Sequence, residues 1–284
     1  MIRFLVIGFV LLSHIGQSQD FLSWRYSDRY FSLQVGTGST TFIGDITGKL
    51  GTSPTNLNVA YEARLLTHFA ARIEGYYYQL EGRDSWAKNA SFELQRNHAF
   101  ESQNWEANFQ VVYYFKAYAG DYYRGETIEP YVGTGLGITG FNPYRELRGE
   151  KYFLRELDTE QNKKSYGKTS LVIPLTAGLK FKINDFTNLN FELGYRISTT
   201  DFLDDVSGVY ADLDDAETSL TLIDLANPKD LVPTVNQGAY EDLIAGSNRG
   251  NNSSFDSYLF MTLKVEIYLP RGLFPGSAKK NSSK

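Results

Sequence analysis

The chain has 284 residues, with 28 Lys and Arg against 33 Asp and Glu; the net charge of −5 and the lack of a basic cluster argue against a nucleic-acid partner. It contains no cysteine, which excludes disulfides, thiolate zinc sites, a thiol nucleophile and a lipidated N-terminal Cys. Twenty Tyr, 19 Phe and 25 Gly point to β-structure with tight turns or bulges.

The chain opens MIRFLVIGFVLLSHIGQSQD. Arg3 gives a positive start, Phe4 to Leu12 an apolar stretch, and Gly16-Gln17-Ser18 small residues at the −3 and −1 positions of a cleavage site. This pattern predicts a secretory signal peptide over residues 1–18, with the mature chain starting near Gln19. No later stretch reaches the roughly 18 consecutive apolar residues of a membrane-spanning helix. A membrane form of this protein would therefore be a β-barrel.

Period-two alternation marks eight segments. The first is Tyr30 to Ile43, with Phe31, Leu33 and Val35 on one face. The second is Leu57 to Leu65, with Glu62 and Arg64 on its polar face. The third, Ala71 to Tyr78, follows the turn Thr67-His68-Phe69 and sets Arg72, Glu74, Tyr76 and Tyr78 against Ala71, Ile73 and Tyr77. The fourth, Asn104 to Tyr113, sets Glu106 and Asn108 against Trp105, Phe109 and Val111. The fifth, Pro130 to Thr139, alternates Val132, Thr134, Leu136 and Ile138 with glycines. The sixth, Leu171 to Lys182, carries Lys180; the seventh, Leu189 to Ser198, carries Glu192 and Arg196. The eighth, Tyr258 to Ile267, places Tyr258, Phe260, Lys264 and Glu266 on its polar face.

Ten residues at ~3.3 Å rise and ~40° tilt cover roughly 25 Å, the height of an outer-membrane apolar band. Connections after segments two and six are a few residues long; that after four is about a dozen, and those after one, three, five and seven are longer. Short turns on one end and long loops on the other fit a barrel with periplasmic turns and extracellular loops. The predicted fold is all-β: an eight-stranded antiparallel transmembrane β-barrel over residues 19–270, with a basic periplasmic tail over 271–284. Outer-membrane lipids are then its surroundings. Such a barrel needs its lumen charges paired, which makes Glu62, Arg64, Arg72, Glu74, Glu106, Lys180, Glu192, Arg196, Lys264 and Glu266 ion-pair candidates. A soluble barrel would turn the same faces inside out.

GLGITG (Gly135 to Gly140) matches G-x-G-x-x-G but sits inside a strand, and no helix follows. The glycines are read as lumen positions that make room for long Arg, Lys and Glu side chains from other strands. His14 leaves with the signal peptide and His68 lies in a turn. His98 is read as a solvated loop residue, because no serine is placed beside it to build a catalytic triad. No cofactor is expected. The acidic stretch TTDFLDDVSG (Thr199 to Gly208) lies where segment seven ends and the largest loop begins. Asp201, Asp204 and Asp205 are expected at the water-facing rim, capping local backbone; a Ca²⁺ site is the secondary reading, without EF-hand spacing. Arg249 and Asp256, at the far end of the same loop, complete the expected loop base, with Arg249 as charged partner.

Several stretches carry a family resemblance: 96–115, 130–143, 173–208 and 248–259. The pattern E-L-G-x-R-x-x-x-T-D-x-L-D-D-V-S runs from Glu192 to Ser207, followed by Arg249-Gly250 and Asp256-Ser257-Tyr258. The chain resembles the Bacteroidetes outer-membrane β-barrel family (DUF6089-like) that includes the PorG component of the type IX secretion system. The resemblance implies a non-enzymatic outer-membrane protein that anchors or assists this machinery through a periplasmic ring containing a lipoprotein. Contacts would fall on Lys116 to Thr127, Asn184 to Phe186 and the tail, whose Arg271, Lys279, Lys280 and Lys284 suit an acidic partner. The alternative is a stand-alone OmpA-like barrel that supports the envelope or adheres through its loops. The stretches 210–246 and 149–168 carry the least resemblance.

Overall fold

The computed structural model describes residues 31–50, 56–87, 92–116, 127–157, 159–161, 166–184, 186–211, 224–226, 246–250 and 255–269. The leader and basic tail read from the sequence lie outside these residues. Among the described residues there are ten strands: β1 (Phe31–Ile43), β2 (Asn56–Arg64), β3 (Phe69–Arg83), β4 (Ala99–Tyr114), β5 (Ile128–Gly140), β6 (Tyr144–Leu147), β7 (Glu150–Phe153), β8 (Thr169–Lys182), β9 (Thr187–Ser198) and β10 (Ser257–Leu269). Eight of them pair antiparallel in the order β1-β2-β3-β4-β5-β8-β9-β10, and β10 returns to β1 from Phe31↔Leu269 to Ile43↔Ser257. Closure leaves no strand edge in the ring, so each strand finds its main-chain partners within the barrel.

The alternation in the sequence becomes an inversion of inside and outside. Leu33, Val35, Leu57, Val59, Ile73, Phe109, Leu171 and Leu263 face outward and are exposed, whereas Gln34, Asn58, Glu74, Asn108, Glu192 and Lys264 point inward and are buried. At one end β2–β3 and β8–β9 are joined by tight turns. Leu65 N donates to Phe69 O at 3.0 Å, and Ile183 N to Thr187 O at 3.1 Å. His68 lies in the first turn, with Nδ1 2.9 Å from the Tyr114 carbonyl oxygen. Aromatic rings gather at this end: Phe69 and Tyr113 are 5.2 Å apart, and Tyr113 and Phe115 5.4 Å. Tyr77 and Trp105 face outward nearer the other end and are also exposed. Such belts suit the two membrane interfaces, where an aromatic body and a polar tip both find partners.

β3 and β4 run farther than their apolar alternation signals. Beyond Tyr77 the outward positions of β3 are Gln79, Glu81 and Arg83, and beyond Trp105 those of β4 are Gln103, Glu101 and Ala99. The 15 residues of β3 measure ~50 Å along the strand, ~38 Å upright at ~40° tilt, well above an apolar band of ~25 Å. The short hairpin β6–β7 joins this projecting part through the pair Glu101↔Tyr144. Four-residue strands are too short to show alternation, and the sequence reading missed them. Their signal is the Arg148-Gly149 corner, where φ is 55° and 86°, as a two-residue hairpin turn requires.

The β5 glycines serve a different purpose from the one expected. A Cβ on Gly135 would collide with the carbonyl of Phe109 in β4, so the main chain itself approaches there. Gly133 and Gly137 lie against the side chains of Gln110 and Asn108, not against Arg, Lys or Glu. The β5–β8 ladder is interrupted between Thr134↔Leu175 and Gly137↔Val172, opposite Pro174, which has no N–H to donate.

Candidate functional site: the filled lumen and its outer cap

The lumen is filled in two layers. Nearer the short turns, strand alternation aims five glutamates and four cations at one another. Arg72 reaches Glu62 at 2.8 Å and Glu192 at 2.6 Å; Lys264 reaches Glu74 and Glu192, both at 2.5 Å. Arg196 pairs with Glu106 at 2.8 Å and Lys180 with Glu266 at 3.0 Å. Polar neighbours take the remaining lone pairs. Tyr131 Oη donates to Glu192 at 2.9 Å, Gln110 Nε2 to Glu74 at 2.9 Å, Ser32 Oγ to Glu266 at 2.7 Å, and Tyr114 Oη to Glu62. All nine charged side chains are buried. Low dielectric strengthens each attraction, and the cost of removing nine charges from water explains why every one is partnered.

Arg64 stands apart from this network. It lies 3.7 Å over the Tyr114 ring and pairs with Glu129 at 3.0 Å, near the short-turn end. Glu129 precedes Pro130, outside the alternating stretch of β5, so periodicity gave no reason to name it.

Above the ionic layer the lumen becomes aromatic. Tyr76 stacks on Phe260 at 4.5 Å, Tyr78 on Tyr258 at 5.2 Å, and Phe42 meets Phe100 edge-on at 4.8 Å. The Arg196 guanidinium sits 5.3 Å from the Tyr76 ring and 5.0 Å from the Phe260 ring, joining the two layers by cation–π contact. Tyr258 Oη, in turn, donates to Glu106 at 2.8 Å.

Outside the aromatic layer the long loops are tied into a cap. Arg96, in the β3–β4 loop, forks onto Asp84 at 2.8 and 2.9 Å; it also donates to the carbonyls of Arg249 (2.6 Å) and Asp45 (2.7 Å). One buried guanidinium thus binds three loops. Arg249 pairs with Glu160 of the β5–β8 loop at 2.7 Å, while its contact with the Asp205 carboxylate is longer, at 3.9 Å. Glu160 also accepts from the backbone N–H groups of Ser207 (2.9 Å) and Gly208 (3.1 Å).

The acidic stretch lies inside this cap and not at a wetted rim: Asp204 and Asp205 are fully buried and Asp201 is 8% exposed. The loops fold back over it because Asp204 and Asp205 accept hydrogen bonds from them. Asp204 accepts from Val206 N at 2.9 Å and Ile46 N at 3.2 Å. Asp205, at φ 66°, accepts from Tyr166 Oη at 2.6 Å and Thr159 Oγ1 at 2.7 Å. Asp256 accepts from Leu203 N at 2.9 Å. Asp204 and Asp205 thus look toward different partners, and among the described residues no set of three acidic or histidine groups is placed to hold a metal ion. Burial, with Asp45 and Glu160 nearby, pushes Asp201 up to about 7. Burial also raises Asp204 and Asp256 well above the usual carboxylate range, helped by Asp45 for Asp204 and by Asp204 for Asp256.

His98 is buried too, contrary to the solvated position expected. Its backbone N–H donates to Asp84 at 2.8 Å and its ring stacks on Tyr210 at 6.0 Å. Burial, then the charges of Arg249, Arg96 and Arg145, hold the imidazole well below its ordinary range. The helix-and-turn segment of the β3–β4 loop folds inward to bind Asp84, and that carries His98 with it.

A closed antiparallel ring with an apolar exterior, an ion-paired interior, tight turns at one end and long loops at the other defines an outer-membrane β-barrel. No helix among the described residues is long and apolar enough to cross a membrane. The family described as Domain of unknown function (DUF6089) matches residues 21–228, and the chain belongs to it. No curated protein matches the chain. Among solved structures it is similar to Neisserial surface protein A at 10% identity and TM-score 0.42, over 84% of this chain and 97% of that one. It is similar to the outer-membrane protein OprG from Pseudomonas aeruginosa at 11% identity and TM-score 0.41, over 85% and 98%. It is also similar to the outer-membrane enzyme PagL at 10% identity and TM-score 0.32, over 84% and 99%.

Proposed function

We propose that the protein is a non-enzymatic, non-conducting outer-membrane barrel that anchors or assists type IX secretion machinery through periplasmic ring partners. The observation that carries this reading is the double closure of the lumen, by the buried ion-pair layer and by the aromatic layer beneath the cap. With the interior occupied, the two ends are left to do the work. At the periplasmic end, Phe186 is exposed in the β8–β9 turn and Lys116 leads out of β4; the basic tail would extend the same face. The motif from Glu192 to Ser207 supports the secretion assignment through the family it resembles. A non-enzymatic role is supported by His98, whose ring is buried among arginines with Tyr210 as its hydrogen-bond neighbour.

The test is a crosslinked pull-down of the tagged full chain from its own outer membrane. Recovery of periplasmic ring components, lost on deleting residues 271–284, is the expected result. Recovery of the protein with abundant porins alone overturns the secretion role. It would leave the second reading, a stand-alone OmpA-like barrel, which the cap and the projecting β6–β7 hairpin favour.

A further inference from the structure

A cavity of about 320 Å³ opens where β6–β7 leans on the projecting ends of β3 and β4. Arg83, Arg145 and Arg148 line it, together with Glu101, Glu146 and Tyr144. Most of these charges are already satisfied. Arg83 pairs with Glu81 at 2.8 Å and Glu101 at 2.9 Å, and Tyr144 Oη also donates to Glu101, at 3.0 Å. Arg148 pairs with Asp224 at 2.9 Å; Glu146 is exposed, and Lys151, its register partner in the hairpin, places its ammonium 4.5 Å over the Tyr144 ring. Arg145 differs. No carboxylate among the described residues lies within ion-pairing distance of it; its Nη2 makes only a 3.5 Å contact to the Asn97 carbonyl, and its Nη1 is buried with no acceptor.

A guanidinium offers five donors in a planar fork suited to oxyanions. Holding one half-buried without a counter-ion is costly. Burial, together with Arg249 and Arg83, lowers Arg145 to about 10 against the pull of Asp84. The position adds a second constraint. Glu101 lies four residues beyond Trp105 on the outward face of β4. That places the pocket ~13 Å along the strand, or ~10 Å upright, above the outer aromatic belt, at the height of lipid headgroups.

We propose that this pocket binds a phosphate group presented at the headgroup level of the outer leaflet, with Arg145 as its anchoring cation. Its volume is near the lower end of ligand-binding clefts, larger than a bare phosphate needs, and leaves room for the sugar of a phosphorylated glycolipid. The proposal is independent of the secretion role.

The test uses the full chain. Inorganic phosphate is titrated against the protein in detergent micelles. Separately, nanodiscs carrying either phosphorylated lipid A or its dephosphorylated form are compared. The expected result is binding of the phosphorylated lipid, weakened at least ~10-fold by Arg145→Gln, while heat-modifiable gel mobility shows that the variant still folds. Arg145-dependent binding of inorganic phosphate without preference for the phosphorylated lipid keeps the site but assigns it to soluble phosphate. Binding that Arg145→Gln leaves unchanged, or no binding of either probe, overturns the proposal. Should the variant fail to fold, phenylglyoxal labelling of Arg145 in the unaltered protein decides. Protection by either probe supports the site, and equal labelling with and without them refutes it.

Discussion

Arg96→Ala tests whether the cap is held by its buried charges. The substitution removes a forked ion pair to Asp84, which has no exposed surface, and two bonds to the carbonyls of Arg249 and Asp45. Breaking a buried pair from one side costs about 3–5 kcal/mol, because the remaining charge is stranded. Asp84 keeps one bond, from His98 N, which places the expected loss near the lower figure, about 3 kcal/mol. The ring of eight strands does not depend on these contacts, so the loss appears as local opening. A drop of about 3 kcal/mol in opening free energy raises the open population on the order of 100-fold. Hydrogen exchange on the reconstituted protein is the assay, read at 44–50, 84–98 and 200–208, with gel mobility reporting the barrel. Arg96→Ala with Asp84→Asn should recover part of the loss, since the stranded charge is then gone. Exchange within about twofold of the unaltered protein in all three segments would refute the view that Arg96 rivets the loops.

Glu192→Ala removes the partner shared by Arg72 and Lys264 and should destabilise the whole barrel by about 3–5 kcal/mol, read by urea unfolding in lipid vesicles; an unchanged midpoint counts against the ionic layer as a structural element. Gly135→Val forces a side chain onto the Phe109 carbonyl, so the folded fraction after refolding should fall, while Gly133→Ala, which meets the Gln110 side chain, should be milder; equal yields would argue against close main-chain approach at Gly135. Cap stability should depend on pH. Asp201, Asp204 and Asp256 bind protons more tightly when folded than unfolded, so their contribution is fully present below about pH 4 and is lost as pH rises, for Asp201 through about 7. His98, held neutral, acts in the opposite sense below its unfolded value, so the clean readout is Asp201→Asn, which should flatten the rise in exchange at 200–206 between pH 5 and pH 8; an unaltered slope would remove Asp201 from the account.

The barrel was legible in the sequence because one face of every strand meets lipid, and period-two alternation is the direct trace of that constraint. The lumen charges were legible for the same reason: Lys264 and Glu266 are conspicuous between Leu263, Val265 and Ile267. What alternation does not carry is pairing across the ring, and that is why Glu129, the partner of Arg64, went unnoticed. The cap was hidden more thoroughly. Arg96, Asp84 and Glu160 lie in loops without periodicity, and their meeting depends on how four separate connections fold over one mouth. A carboxylate cluster at a strand end reads as a wetted rim until the loops that bury it are known. His98 was misplaced by the same argument, since a lone loop histidine carries no sign that Asp84 will draw its backbone inward.

The two layers of the lumen make different demands on sequence. An ionic layer is a costly way to fill space, since apolar packing of equal volume is often as stable. Here the strand register narrows the choice: the inward positions at mid-membrane height are Glu62, Arg72, Glu74, Glu106, Glu192 and Lys264, each bonded to a different strand. Ion pairs between non-adjacent strands such as β3 and β9 fix which walls face each other across the lumen, which backbone ladders alone do not. An apolar filling would leave that cross-section free to flatten. The aromatic layer takes over where the strands rise out of the membrane and the loops, not lipid, supply the surroundings. The transition is marked by Arg196, ion-paired to Glu106 and set against the stacked rings of Tyr76 and Phe260. A rigid, filled cylinder of this kind holds its ends at fixed positions. That is the property a scaffold needs when its working surfaces are a short-turn face on one side of a membrane and a loop cap on the other.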